Sequence, residues 1–135
     1  MTNSLVHRSS GDPDKVRKLG PYEIESLIEP AEELNTTAYR VRIAPHQTTR
    51  VSYHQIAEEL YFVIAGQGRA ILNGQDRPLR AGELLRLPPG TTHGFITDAE
   101  ALEMLNIHTP GCRPGHDVYF ADGPAPEGFM TAEPG

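Results

Sequence analysis

Between Tyr22 and His108 the chain is built from short runs whose side-chain polarity changes with a period of two, most of them closed by glycine, proline or asparagine. In "AYRVRIAP", Tyr39, Val41 and Ile43 alternate with Arg40 and Arg42. Successive side chains of an extended backbone point to opposite sides, so this is the signature of a strand buried on one face. The only segment with helix-forming composition, "AEEL" at residues 31–34, is too short to hold a helix. Thirteen glycines and twelve prolines in 135 residues supply the breaks that short strands need, and the expected class is all-β.

After "YEIESLI" and "AYRVRIAP", the pattern places further strands at roughly 49–54, 58–65, 68–73, 77–80, 83–87, 93–97 and 101–108. Asn73-Gly74 reads as a hairpin tip, because both residues tolerate positive φ. "LPPGTTHG" reads as a rigid loop, and no internal repeat is present. Residues 1–20, polar and broken by Gly11, Pro13 and Gly20, are expected to be a flexible lead-in that orders only against a neighbour. Residues 21–108 form the body. Residues 109–135 contain five prolines and five glycines in twenty-seven positions, which predicts a clasp without regular structure that docks through Val118, Tyr119, Phe120 and Phe129. The length suits one domain.

The formal charge is −6, with arginines scattered among carboxylates, so the basic stripe that binds a nucleic-acid backbone is absent and nucleic acid is not an expected partner. No apolar run approaches membrane-spanning length, and the first twenty residues lack a signal-peptide core, so no membrane partner is expected and the expected compartment is the cytoplasm. Cys112 has no partner cysteine for a disulfide or a zinc ribbon and is expected to be a surface or part-buried thiol rather than a nucleophile.

Chemistry-bearing residues recur at defined intervals. His54 is followed after four residues by Glu59 and after six more by Gly66; later come Gly82, five residues, Pro88, one residue, Gly90, two residues and His93. This pair of motifs resembles the two motifs of the cupin superfamily, the first HxHxxxxE followed by six residues and Gly, the second G, five residues, PxG, two residues, H, three residues and Asn. The resemblance covers roughly residues 38–98 and extends loosely to "ALEMLNIHTP". It implies a single-domain conical β-barrel of the cupin type. Matched position by position, His54 is the second histidine of the first motif, Glu59 its glutamate, and His93 the histidine of the second. Ser52 stands where the first histidine belongs, and Thr97 where Asn is usual. Pro45 sits where the family has a Pro-Gly turn, with His46 in place of the glycine.

The implied cofactor is a divalent metal, Fe, Zn, Mn or Ni, held by His54, Glu59 and His93. Strands suit such a site, since side chains from neighbouring strands about 4.8 Å apart converge inside a small barrel. A serine hydroxyl is a poor donor beside imidazole, which leaves the two-histidine, one-carboxylate set known for non-haem iron, with Ser52 expected to hold a water. Glu59 is also the candidate catalytic base. Tyr61 and Val63 share its face, and Ser52, Tyr61, Arg69 and Phe95 are the candidate substrate-lining residues, Tyr61 and Phe95 being equally at home as core. Glu58 is expected to be solvated or paired with a surface arginine. Alternation on the last strand separates Glu103, Leu105 and Ile107 from Met104, Asn106 and His108, without saying which set faces the cavity. Leu60, Phe62 and Ile64 are expected to point outward, where a second subunit of a homodimer would cover them. Two functional readings follow: a metal-dependent enzyme acting on a small organic molecule, of cyclase, isomerase, lyase or dioxygenase type, or a non-catalytic small-molecule binder that has lost its metal, its two histidines hydrogen-bonded to Glu59 and Ser52.

Overall fold

The computed structural model describes residues 5–121. Among these residues ten strands follow one another: β1 (Val16–Leu19), β2 (Tyr22–Ser26), β3 (Thr37–Ile43), β4 (Ser52–Tyr53), β5 (Glu58–Leu72), β6 (Gln75–Arg80), β7 (Leu84–Leu87), β8 (His93–Ile96), β9 (Leu102–Thr109) and β10 (Tyr119–Phe120). Among the described residues the only helical turns are the 3-10 turns Pro13–Lys15 and Pro30–Glu32, the second overlapping the segment with helix-forming composition. The expected all-β class holds.

The strands pair in the order β1-β2-β3-β9-β5-β8-β4-β10, with β6 and β7 also on β5, and the sheet curls into a half-barrel. The two expected runs 58–65 and 68–73 are one long strand. Its first part pairs with β7 and β9, its second with β6 and β8, so β5 carries the chain from one wall to the other. The bend lies at a bulge between Val63 and Ala65, followed by Gly66 at φ 81. A Cβ at Gly66 would sit 1.8 Å from the Ala101 carbonyl oxygen, so only glycine lets the two backbones approach there. Asn73 and Gly74 form the β5–β6 hairpin tip with φ 48 and 81, as expected.

The core is built from the alternating positions read in the sequence: Tyr39, Val41 and Ile43 of β3, Tyr61 and Val63 of β5, Phe95 of β8, and Leu102 and Met104 of β9. On the outer side Arg40 pairs with Glu103, Arg42 with Glu23 and Arg86 with Glu58, the last meeting the expectation for Glu58. Phe62 and Ile64 also point outward, 43% and 41% exposed, with Leu60 half-buried beside them.

Three expectations need correction. The lead-in is structured well before residue 20: Arg8 pairs with Glu32, the buried Glu25 carboxylate accepts the Gly11 N–H, and β1 pairs with β2. β1 escapes a pattern search because it is an edge strand that buries only Leu19. The expected strand 49–54 shortens to β4, preceded by a single bridge from Thr48 to Ile96. The tail contributes a strand after all: Tyr119 and Phe120 pair with Tyr53 and Ser52, and Val118 is buried. Phe129 lies outside the described residues.

Candidate metal centre

Register brings the polar residues together. Ser52 of β4 lies opposite His93 of β8, Glu59 of β5 opposite His108 of β9, and Tyr61 opposite Asn106. His54 follows β4 directly, and its carbonyl accepts the Gly90 N–H at 2.6 Å, tying the Pro88-Pro89-Gly90 turn to the first motif. Gly90 has φ 87, so the turn needs a residue without a side chain. It reverses the chain three residues before His93 and delivers that imidazole inward.

The three expected ligands converge. One donor atom from each of His54, Glu59 and His93 lies within 4.8 Å of the other two, and all three side chains are buried. Glu59 Oε1 is 3.3 Å from His54 Nε2 and 3.1 Å from His93 Nε2. The opposite ring nitrogens are committed elsewhere: His54 Nδ1 lies 2.7 Å from the Asp117 carbonyl oxygen and His93 Nδ1 3.1 Å from that of Thr91. A carbonyl can only accept, so each Nδ1 carries a proton and each Nε2 faces the carboxylate. Among the described residues Oε1 is buried without a well-formed hydrogen bond. Acceptor atoms aimed at one point call for a cation, and the residues present fit a divalent metal.

Oε2 is differently placed. It accepts Asn106 Nδ2 at 2.9 Å and His108 Nε2 at 2.8 Å. Burial works to raise the Glu59 pKa, but attraction from His93 and hydrogen bonds from His108 and His54 outweigh it, holding the carboxyl well below its ordinary range. For His54 burial works against the charged ring, but hydrogen bonds to Cys112 and Glu59 overcome it and raise the pKa to about 11. His93 is lowered by burial, with attraction from Glu59 opposing. Without a metal, the proton of the cluster therefore resides on His54.

The cavity over this cluster, about 70 Å³, is walled by Tyr22, Ile24, Tyr39 and Val41 and closed by Cys112, Arg113, Pro114 and Val118 of the clasp. Ser52 and Tyr61 line it. Phe95 packs behind them, edge-on to Tyr61 with centroids 4.9 Å apart, in the core role. Arg69 does not line it: its guanidinium pairs with Asp76 and approaches Asp98 outside the barrel. The β5 bulge is the reason, since Glu59, Tyr61 and Val63 are buried before it and Ala70 after it, so the inward set changes from odd to even positions. Thr97 carries a structural duty in place of Asn, donating to the Ala44 carbonyl and accepting the Gln47 N–H. His46 is a turn residue at φ 58.

Sequence reasoning left His108 and Asn106 undecided and missed Asp117. Alternation on β9 identified their set, and only pairing with β5 turns that set inward. Asp117, at φ 59, accepts N–H bonds from Gln55, Ile56 and Ala57 through its carboxylate while its carbonyl holds His54. Cys112 is buried, not at the surface, with Sγ 3.6 Å from His54 Nδ1.

A half-barrel of antiparallel strands with a buried two-histidine, one-carboxylate cluster at its centre defines a class of small β-barrel proteins built around an internal polar site. Residues 39–108 match the Cupin domain family, and the chain belongs to the cupin superfamily. No curated protein matches the sequence. Among solved structures the chain is similar to Pac13, described as a unique nucleoside dehydratase (17% identity, 93% of this chain and 95% of that one, TM-score 0.67), and Pac13 of Streptomyces has been solved with uridine. It is similar to a Cupin 2 conserved barrel domain protein from Salinispora arenicola (19%, 78% and 90%, TM-score 0.67). It is also similar to a sugar phosphate isomerase of the cupin superfamily from Silicibacter pomeroyi (18%, 78% and 68%, TM-score 0.65).

Proposed function

We propose that this cupin is a metal-dependent enzyme acting on a small organic molecule in the cavity between β2, β3, β9 and the clasp. The observation that carries the reading is the convergence of two Nε2 atoms, whose rings are fixed by backbone carbonyls, on a buried carboxylate oxygen that has no well-formed hydrogen bond among the described residues. His54, Glu59 and His93 are the ligands, and Ser52 in place of a fourth leaves room beside them. A divalent ion bound there supplies Lewis acidity toward a carbonyl or enolate oxygen.

The remaining steps belong to the chain's own side chains. Asn106 and His108 clamp Oε2 and so fix the direction in which Glu59 presents Oε1. His108, its Nε2 proton engaged by the carboxylate, keeps the Nδ1 lone pair open on a ring that lines the cavity, so His108 with Glu59 behind it is the pair that takes a substrate proton. The aromatic wall of Tyr22, Tyr39 and Tyr61 and the clasp exclude water. The enzymes among the structural neighbours act on small molecules, which agrees with this substrate class.

The non-catalytic alternative draws on one observation, that Asn106 and His108 already satisfy half of the Glu59 carboxylate. Metal addition separates the two. A thermal shift with Fe(II), Mn(II), Zn(II) or Ni(II) that vanishes in His54→Ala and His93→Ala supports the enzyme; no shift with any of them supports the binder. We also propose that a second copy covers the outward face at Phe62, Ile64 and Leu84, where Phe62 and Leu84 are register partners on β5 and β7. Among the described residues no helix is long and apolar enough to cross a membrane.

A further inference from the structure

His54 belongs to a second group of donors besides the His54-Glu59-His93 triangle. One ligand atom from each of His54, His108 and Cys112 lies within 4.8 Å of the other two. These residues are 7%, 6% and 4% exposed. Cys112 Sγ is 3.6 Å from His54 Nδ1 and 3.0 Å from the His116 carbonyl, which accepts the thiol proton. His108 spends Nε2 on Glu59, so Nδ1 is the nitrogen it has available, and that atom is buried with no hydrogen-bond partner among the described residues. A buried nitrogen left unpaired costs free energy that folding recovers only if something occupies its lone pair.

We propose that His54, His108 and Cys112 form an alternative cation site selective for thiophilic ions such as Cd(II) or Cu(I), and that filling it withdraws His54 from the Glu59-His93 centre. Two imidazoles and a thiol make a softer set than two imidazoles and a carboxylate, so the two sites sort ions by softness. The exclusion follows from the His54 tautomer. At the carboxylate centre His54 offers Nε2 while Nδ1–H donates to Asp117. At the thiol site it offers Nδ1 and keeps its proton on Nε2, facing Glu59 Oε1, so the metal-free imidazolium releases its Nδ1 proton to solvent as the ion binds. The thiol proton is released to solvent when Sγ binds the ion. The same ion occupies His108 Nδ1, the proposed proton acceptor, so a soft ion acts as an inhibitor. The existence of the thiol site is independent of the proposed enzyme function; the exclusion rests on it.

The test is titration of chelator-treated protein with Cd(II), following the thiolate-to-metal charge-transfer absorption. The wild-type protein should develop the band to saturation at one ion per chain, His93→Ala should keep it, and Cys112→Ser and Cys112→Ala should lose it. Cd(II) should also release Mn(II) pre-bound to the wild-type protein, read as free Mn(II) by electron paramagnetic resonance, and fail to do so in Cys112→Ser. The proposal is overturned if native wild-type protein shows no band, or if His93→Ala abolishes it, which would place the thiol in the first centre. Failure of the carboxylate centre reads differently: Mn(II) does not bind, while the cadmium band is unaffected.

Discussion

Glu59 is 2% exposed and meets three imidazoles, so its two oxygens divide the labour: Oε2 is held by Asn106 and His108, and Oε1 faces His54 and His93. Replacing Glu59 by Gln keeps the volume and removes the charge that balances an ion. Metal at about 100 times its dissociation constant should raise wild-type stability by about 2.7 kcal/mol, on the order of 10 °C in Tm, and Glu59→Gln should lose most of that shift in a thermal melt. A second expectation concerns pH. The folded-state pKa of His54 is raised to about 11, so the metal-free site carries that proton throughout the neutral range, and metal must displace it. Apparent metal affinity should therefore rise with pH between 6 and 8, by up to about tenfold per unit for one proton released, and calorimetry in buffers of different ionisation enthalpy should detect the proton. The three proposed ligands were legible because each sits at a fixed interval within a motif. Asn106 and His108 were half legible, since a period of two names a face without saying which way it points. Cys112 and Asp117 were not, because the clasp that brings them in has no periodicity to read.

β5 and the clasp decide what the elements do. The bulge after Val63 reverses the parity of β5, so Arg69, a candidate for the lining only if it points inward, is turned outward to Asp76. Nothing in "VIAGQG" fixes the bulge except Gly66, whose absent side chain makes room for the Ala101 carbonyl. Gly66→Ala should destabilise the chain by about 3 kcal/mol or more in denaturant unfolding, because backbone must move and φ 81 disfavours a Cβ. At the other end of the barrel, Asp117 ties the clasp to the loop before β5 and to His54 at once. Asp117→Ala should cost about 1–3 kcal/mol of stability and weaken metal binding about 10- to 100-fold, whereas Asp117→Asn, which keeps an acceptor and tolerates positive φ, should lose less of both. The strands of the body were legible as alternating runs. β1 and β10 were not, being short pieces that gain their order from pairing with β2 and β4 rather than from their own pattern.

At the scale of the whole molecule, a polar site inside the barrel and an apolar face outside it each carry an expectation. Phe62, Ile64 and Leu84 leave the outer face of β5 and β7 apolar beside the Arg86-Glu58 pair. Covered by a second copy, this face should give a dimer in light scattering, and the double substitution Phe62→Glu with Leu84→Glu should yield a folded monomer. The inner surface is the one on which function turns, and its claim is that His54, Glu59 and His93 hold an ion. Quantitative metal analysis of protein purified without chelator, set beside His54→Ala and His93→Ala purified identically, tests this most directly. The account predicts close to one divalent ion per wild-type chain and a small fraction of that in either variant. Wild-type protein free of metal that also fails to take one up on anaerobic addition of Fe(II), Mn(II), Zn(II) or Ni(II) would contradict it.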